Sequence, residues 1–198
     1  MCRFIETIRL QDGRPCNLDF HQRRMDESIR DFYESKPSID LKDFLSSCPM
    51  PSEGLFKIKL AYDTEVQSVL ISPYTTKSVN SFRMVCDDSI SYDYKFEDRN
   101  KLESLFNKRD NCDDIIIVKN DCITDASFAN LAFKRDDQWF TPTTFLLNGT
   151  MRRYLLEHKI ILEERITMKD LKRYEKVKLI NAMLQFDSPE IDVSRIVG

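Results

Sequence analysis

Glycine is scarce in this chain, four among 198 residues; histidine is scarcer still, with two, and no long apolar run occurs anywhere. With a hydrophobic fraction of 41% and an aromatic fraction of 11%, so little glycine excludes a disordered or low-complexity polypeptide and describes an ordinary globular protein. The six cysteines, Cys2, Cys16, Cys48, Cys86, Cys112 and Cys122, contain no CxxC pair, and two histidines are few to help ligate a metal. No metal site is therefore expected, and the thiols read as buried and reduced. Charge of one sign is also missing: 30 Lys+Arg against 33 Asp+Glu leave a formal charge of -3. That excludes a general positive field for nucleic acid or anionic membranes and leaves room only for a local anion site. Glu6 stands where a signal peptide needs its apolar stretch, so the protein is expected in the cytoplasm, with no membrane span. The length suits one compact unit or two closely joined halves, and there is no internal repeat.

What is present alternates between strand and helix signals. Residues 4–10 alternate in the strand manner, Asp12-Gly13 supplies a turn, and residues 15–18 can pair back. Phe20, Met25, Ile29 and Phe32 fall at helical intervals, with Asp19 available as a cap, and predict a helix to about Tyr33. A turn or two of helix at 41–45 leads into the proline loop Cys48-Pro49-Met50-Pro51, and strands follow at 56–62 and 66–71. The polar, aperiodic stretch 72–78 is the natural linker. Beyond it come a strand at 82–85, a helix at 100–107, and the strongest β signal in the chain, Ile115-Ile116-Ile117-Val118. A hairpin about Asp136-Asp137, a helix at 150–158, an extended 160–165, a helix start at Thr167-x-x-Asp170 and a final buried strand at 177–180 complete the pattern. The expected fold class is α+β and strand-rich, in two α/β lobes, a small one at 1–78 and a larger one at 79–198.

Four linked elements then stand out. The first runs from Asp113-Asp114 through Ile115 to Val118, Thr124-Asp125 and Asn130-Leu131-Ala132-Phe133. Trp139-Phe140-Thr141-Pro142, Gly149-Thr150-Met151-Arg152 and Leu179-Ile180-Asn181-Ala182-Met183 follow it. In order and spacing they resemble the D-E-hhhh-x-x-G-x-h-T-E-x-x-x-x-N-h-F, W-x-T-P, G-h-x-R and h-x-N-A-h elements of class IV aminotransferases. Glu6-Thr7-Ile8-Arg9 is similar to that family's E-T-h-R strand, and His21-Gln22-Arg23-Arg24-Met25 to its H-x-x-R-L helix. Lys95-Phe96-Glu97-Asp98-Arg99 lies where the lyases of the family carry K-x-x-N-R, with Asp98 in place of the usual asparagine. The resemblance spans nearly the whole chain. Two departures accompany it. The glycine-rich D-R-G-x-x-x-G-D-G segment that commonly precedes E-T-h-R is not seen before Phe4, so some substrate-facing surface is expected to be missing. Asp125 replaces the family's glutamate, keeping the charge and shortening the reach.

The resemblance implies pyridoxal 5'-phosphate (PLP) in a cleft between the lobes, with Lys95 as the catalytic Schiff-base lysine. Read without it, Lys95 is one solvated lysine among many. Asp125 would face the pyridine nitrogen, because a protonated ring is an electron sink; its plain alternative is an Asx turn beside Ser127. Arg24 and the helix start at Thr150 and Met151 would hold the phosphate, with Ala182 and Met183 as a second phosphate-side loop. For Arg24 the alternative is a surface ion pair near Arg23 and Asp26, and Arg23 itself competes for the assignment. For the 181–183 loop the alternative is simply the end of a buried strand. Arg99 would meet a substrate carboxylate, or pair with Glu97 or Asp98. His21 reads as a packing or capping residue. The implied activity is that of an aminodeoxychorismate lyase forming 4-aminobenzoate and pyruvate. The alternatives are an aminotransferase acting on branched-chain or related amino acids and an inactive PLP-binding homologue. The implied partners are a small amino substrate and a second copy in a homodimer.

Overall fold

A computed structural model describes residues 3–198. The chain forms two compact units, Met1–Thr76 with Tyr94–Asp98, and Lys77–Asp93 with Arg99–Gly198. No single boundary at 78 separates them, because the segment around Lys95 belongs with the first unit. Its backbone is the reason: Ile5 donates to the Lys95 carbonyl at 2.9 Å, Glu97 donates to the Arg3 carbonyl at 2.8 Å, and Phe4 and Phe96 form an antiparallel bridge.

The first unit is an antiparallel sheet covered by helices. Strand β1 (Phe4–Gln11) turns through Asp12 and Gly13, at φ 48° and 75°, into β2 (Arg14–Pro15). Helix α1 (Leu18–Tyr33) and helix α2 (Leu41–Ser46) follow, then β3 (Leu55–Tyr62) and β4 (Val66–Pro73), in the sheet order β2-β1-β3-β4. The returning strand stops at Pro15, short of the expected 18, because Asn17 takes a left-handed φ of 53° and starts α1 one residue earlier. Asn17, rather than Asp19, therefore precedes the helix, and its carbonyl accepts from Phe20 and His21. Asp19 lies in the first turn, where its charge suits the helix dipole. Phe4, Ile8 and Leu10 of β1 meet Ile58, Leu60 and Tyr62 of β3, Met25 and Ile29 of α1, and Leu41 and Leu45 of α2 in one core. Each such side chain removed from water stabilises the unit by roughly 1.5–3 kcal/mol before the entropy of ordering is counted.

The second unit stacks two sheets. Its elements in order are β5 (Phe82–Cys86), α3 (Asn100–Phe106), β6 (Asp114–Lys119), β7 (Cys122–Ala126), β8 (Asn130–Arg135) and β9 (Gln138–Pro142). Then come α4 (Thr150–Glu157), β10 (Leu162–Glu164), a 3-10 helix at Met168–Arg173, β11 (Lys176–Ile180), β12 (Ile191–Asp192) and β13 (Ile196–Val197). One sheet runs β13-β5-β6-β7 and the other β10-β9-β8-β11-β12. Strands β5 and β6 are parallel, which requires the crossover that contains α3. Ile115, Ile116, Ile117 and Val118 are all buried, so the unbroken apolar run reflects a strand covered on both faces. Phe82, Ile116 and Val118 of one sheet and Leu131, Phe133, Val177 and Leu179 of the other share the main core. The expected capping box at Thr167 and Asp170 is present, heading a 3-10 helix. Strand β7 and the short β12 and β13 were not expected. Among the described residues no helix is long and apolar enough to cross a membrane.

Candidate active site

In the first unit the residues singled out from the sequence gather around a carboxylate that was given no role of its own. Glu6 sits on the core face of β1, in step with Phe4, Ile8 and Leu10, and is fully buried. A charge there must be paired. His21 and Arg24, three residues apart on one face of α1, supply the pair. Arg24 donates from Nε to Glu6 Oε1 at 2.8 Å and from Nη2 to Oε2 at 2.6 Å. His21 Nδ1 lies 2.5 Å from the same Oε2. Burial alone would raise the Glu6 carboxyl, but the Arg24 and His21 contacts overcome it and hold the group at about 2. Burial also lowers the His21 imidazole against the pull of Glu6, so the ring is neutral at pH 7, donates through Nδ1 and leaves Nε2 without a partner among the described residues.

The surface ion pair considered for Arg24 is thus not what forms. Arg24 is buried and forked onto Glu6, whereas Arg23 is exposed and lies over the Phe20 ring at 4.2 Å. Lys95 is half-buried, and its charge is among those felt by His21. Its neighbours Tyr94 and Phe96 lie against Phe4, with ring centroids 5.6 and 5.3 Å away, and against Phe32 at 5.6 and 5.9 Å. The aromatic cluster and the backbone bonds to β1 together fix where Lys95 leaves the main chain.

In the second unit the constellation centres on Asp125, buried on β7. Its Oδ2 accepts from the backbone N–H groups of Leu146 at 3.0 Å and Leu147 at 2.9 Å, and its Oδ1 accepts from Asn130 Nδ2 at 2.7 Å. The Leu146 and Leu147 donors lie more than 20 residues along the chain, so the local Asx turn considered for Asp125 is replaced by a long-range cradle that Asn130 completes. Even so, burial pushes the carboxyl up to about 6, against the three hydrogen bonds and the Arg152 charge. Asn130 also donates to the Leu147 carbonyl at 2.8 Å. Its Oδ1 occupies the space beside Gly149, where an added Cβ would come within 2.2 Å. Gly149 is therefore required by close approach, more than an ordinary turn would demand.

Gly149 leads directly into α4, and no side chain caps the helix. Thr150 and Met151 are buried at its amino end, where the first N–H groups have no acceptor within the helix. A helix start of this kind favours a negative charge beside it. At the end of β11, Asn181 Oδ1 accepts from Met183 at 2.9 Å and Leu184 at 2.8 Å. The Met183 N–H is consequently used inside the turn. Of the two residues expected to face a phosphate there, Ala182 keeps its backbone N–H without an acceptor among the described residues.

Arg99 stands at the start of α3, half-buried, and donates from Nη2 to the Ser127 carbonyl at 2.7 Å. The pairing with Glu97 considered above does not form, because Glu97 faces Arg3 at 3.9 Å and Lys59 at 3.5 Å. Sequence reasoning had assigned no function to Glu6, Asn130, Arg152 or the Leu146 and Leu147 N–H groups. A carboxylate on the apolar face of a strand is the local signal for Glu6, whereas Asn130 and Arg152 are marked only as positions of the resembling motifs.

A strand-rich mixed fold carrying a buried acid, a glycine-led helix start and a lysine held beside the first strand defines a class of protein by its parts. Comparisons with known proteins agree. Residues 97–186 match the family described as amino-transferase class IV. A solved structure from Haemophilus somnus 129pt, provisionally named a 4-amino-4-deoxychorismate lyase, is 34% identical, with a TM-score of 0.88 over 94% of this chain and 98% of that one. A protein of Schizosaccharomyces pombe, provisionally named an aminodeoxychorismate lyase, is 28% identical over 87% of this chain and 83% of its own. The PLP-bound form of a hypothetical aminotransferase from Mycobacterium tuberculosis shares the fold at 17% identity, with a TM-score of 0.75 over 98% of this chain and 82% of that chain. The chain belongs to the class IV aminotransferase family.

Proposed function

We propose that this protein is a PLP-dependent lyase that converts 4-amino-4-deoxychorismate to 4-aminobenzoate and pyruvate. The carrying observation is the Asp125 cradle, set in one unit with the uncapped amino end of α4. A buried carboxyl raised to about 6 gains from a cationic ring nitrogen against it, and a buried helix start without a cap gains from a phosphate dianion. Both features fit the cofactor, and Gly149 leaves the room in which Asn130 braces the Asp125 cradle. PLP supplies an aldehyde for the substrate amine and, with its ring nitrogen protonated, a sink for carbanion charge.

In this reading Asp125 holds the ring-nitrogen proton. The Thr150 and Met151 N–H groups would bind phosphate, with Arg24 and the Ala182 N–H on the same duty. Lys95 Nζ would be the amine that holds PLP and the base that takes the proton from the substrate ring carbon that bears nitrogen. Loss of that proton with cleavage of the ring C–O bond would expel enolpyruvate and leave an aromatic ring, and the proton taken up by the enolpyruvate carbon would complete pyruvate. Arg99, fixed at one nitrogen by Ser127, offers its remaining donors to the substrate carboxylate. The provisional lyase names of two relatives favour this reaction. In the aminotransferase reading, favoured by the family as a whole, the same Lys95 would carry the proton taken from the substrate Cα. The enzyme is read as a homodimer acting on a small amino substrate.

Absorption spectra of the purified protein with PLP, before and after borohydride, followed by mass spectrometry, test the assignment. A reduced adduct on Lys95, lost in Lys95→Ala, is expected, with pyruvate released from 4-amino-4-deoxychorismate. An adduct on another lysine overturns the role of Lys95. Pyridoxamine phosphate formed from an amino acid and consumed by a 2-oxo acid turns the reading to transamination.

A further inference from the structure

Arg152 is the largest fully buried side chain among the described residues, and a buried guanidinium is costly unless its donors are used; Nη1 and Nη2 are, while Nε has no partner among the described residues. Its contacts converge on one stretch of chain. Nη1 donates to Asn148 Oδ1 at 3.1 Å, Nη2 donates to the Pro142 carbonyl at 3.1 Å, and the guanidinium lies over the Phe145 ring at 4.3 Å. Nη2 also pairs with Glu163 on β10, whose strand runs parallel to β9. Pro142, Phe145 and Asn148 span the loop whose Leu146 and Leu147 N–H groups hold Asp125. Arg152 itself sits in the first turn of α4. One side chain thus grips the loop that cradles the acid while its own backbone forms part of the helix start.

We propose that Arg152 is a positioning residue that locks the 142–148 loop to the amino end of α4, so that the Asp125 carboxylate and the Thr150 and Met151 N–H groups are presented as one rigid piece. The proposal rests on the reading that this unit binds PLP. The Arg152 charge supports the same end, since it favours the ionised form of Asp125. Glu163, with its side chain 46% exposed, anchors the grip from outside the core.

The test uses the full chain as wild type, Arg152→Met, Arg152→Lys and Glu163→Gln, with two measurements on each: amide hydrogen exchange of the apoprotein by mass spectrometry, and titration with PLP followed by absorbance. In Arg152→Met, exchange should quicken across 142–151 and not in the first unit, and PLP should bind on the order of tenfold more weakly, the scale expected when a supporting shell lets a site drift. Arg152→Lys keeps the charge and one donor arm, so it should recover part of both losses, and Glu163→Gln should fall between Arg152→Met and wild type. A folded Arg152→Met protein with wild-type exchange at 142–151, or with wild-type PLP affinity, overturns the proposal. If Arg152→Met does not fold, Glu163→Gln decides: quickened exchange confined to 142–151 upholds the lock, and exchange quickened everywhere or nowhere overturns it. Failure of the wild type to bind PLP would refute the functional reading instead, while the exchange data still judge the lock.

Discussion

Replacing Glu6 by glutamine isolates the charge at the centre of the first unit while keeping the side chain's size. In the folded protein the Glu6 carboxyl is held at about 2 against an ordinary value of 4.5. That difference corresponds to about 3 kcal/mol of stability, the range expected when one partner of a buried pair is removed. Because the folded value is depressed, the contribution is fully present above pH 4.5 and is lost as the pH falls toward 2. The Glu6→Gln substitution would leave Arg24 buried beside a neutral amide, and no proton could bind at that position in either state. Urea unfolding of the two proteins between pH 7 and pH 3 tests this, provided their m-values agree. Far-UV circular dichroism is the suitable probe, because the single tryptophan, Trp139, lies in the second unit. The wild type should exceed Glu6→Gln by about 3 kcal/mol at pH 7, with the gap closing steadily below pH 4.5. A gap under about 1 kcal/mol at pH 7, or a gap that stays constant with pH, would refute the view that an ionised Glu6 holds this face together.

Asp125 should behave with the opposite sign. With its carboxyl raised from 3.8 to about 6 in the apoprotein, it contributes about 3 kcal/mol that is present below pH 3.8 and lost as the pH rises through 6. PLP affinity, read by absorbance titration at pH 5, 6 and 7, should accordingly weaken below pH 6, and Asp125→Asn should bind weakly and without that pH step. Gly149→Ala places a Cβ within 2.2 Å of Asn130 Oδ1, so Asn130 must move and its bonds to Asp125 and the Leu147 carbonyl are lost. The expected cost is about 2–3 kcal/mol, measured by urea unfolding, and a loss below about 0.5 kcal/mol would show that Asn130 is not held there.

Where the sequence could be read and where it could not follows from how far apart the deciding partners lie. Helix α1 was legible because Phe20, Met25 and Ile29 repeat at 3.6 residues and all face the core. The run at Ile115 was legible because a strand buried on both faces needs no alternation. Strand β7 was hidden for the opposite reason. Cys122-Ile123-Thr124-Asp125-Ala126 carries a polar pair in a short segment, and an aspartate in an isolated strand is unfavourable. It becomes acceptable only when Leu146 and Leu147, more than 20 residues later, bring their N–H groups to it. The return of residues 94–98 to β1 likewise depends on hydrogen bonds from Ile5 and to Arg3, about 90 residues away, for which no local pattern exists. The two-residue strands β12 and β13 owe their form to the strands they meet. The same logic separates the residues of the site. Lys95, Asp125 and Gly149 could be nominated because each is a chemically distinctive residue within a spaced motif. Asn130 and Arg152 stand in the same motifs, but no chemistry of their own marks them there, and what they do arises from what they hold in place: one bridges the acid to the loop, and the other ties that loop to α4.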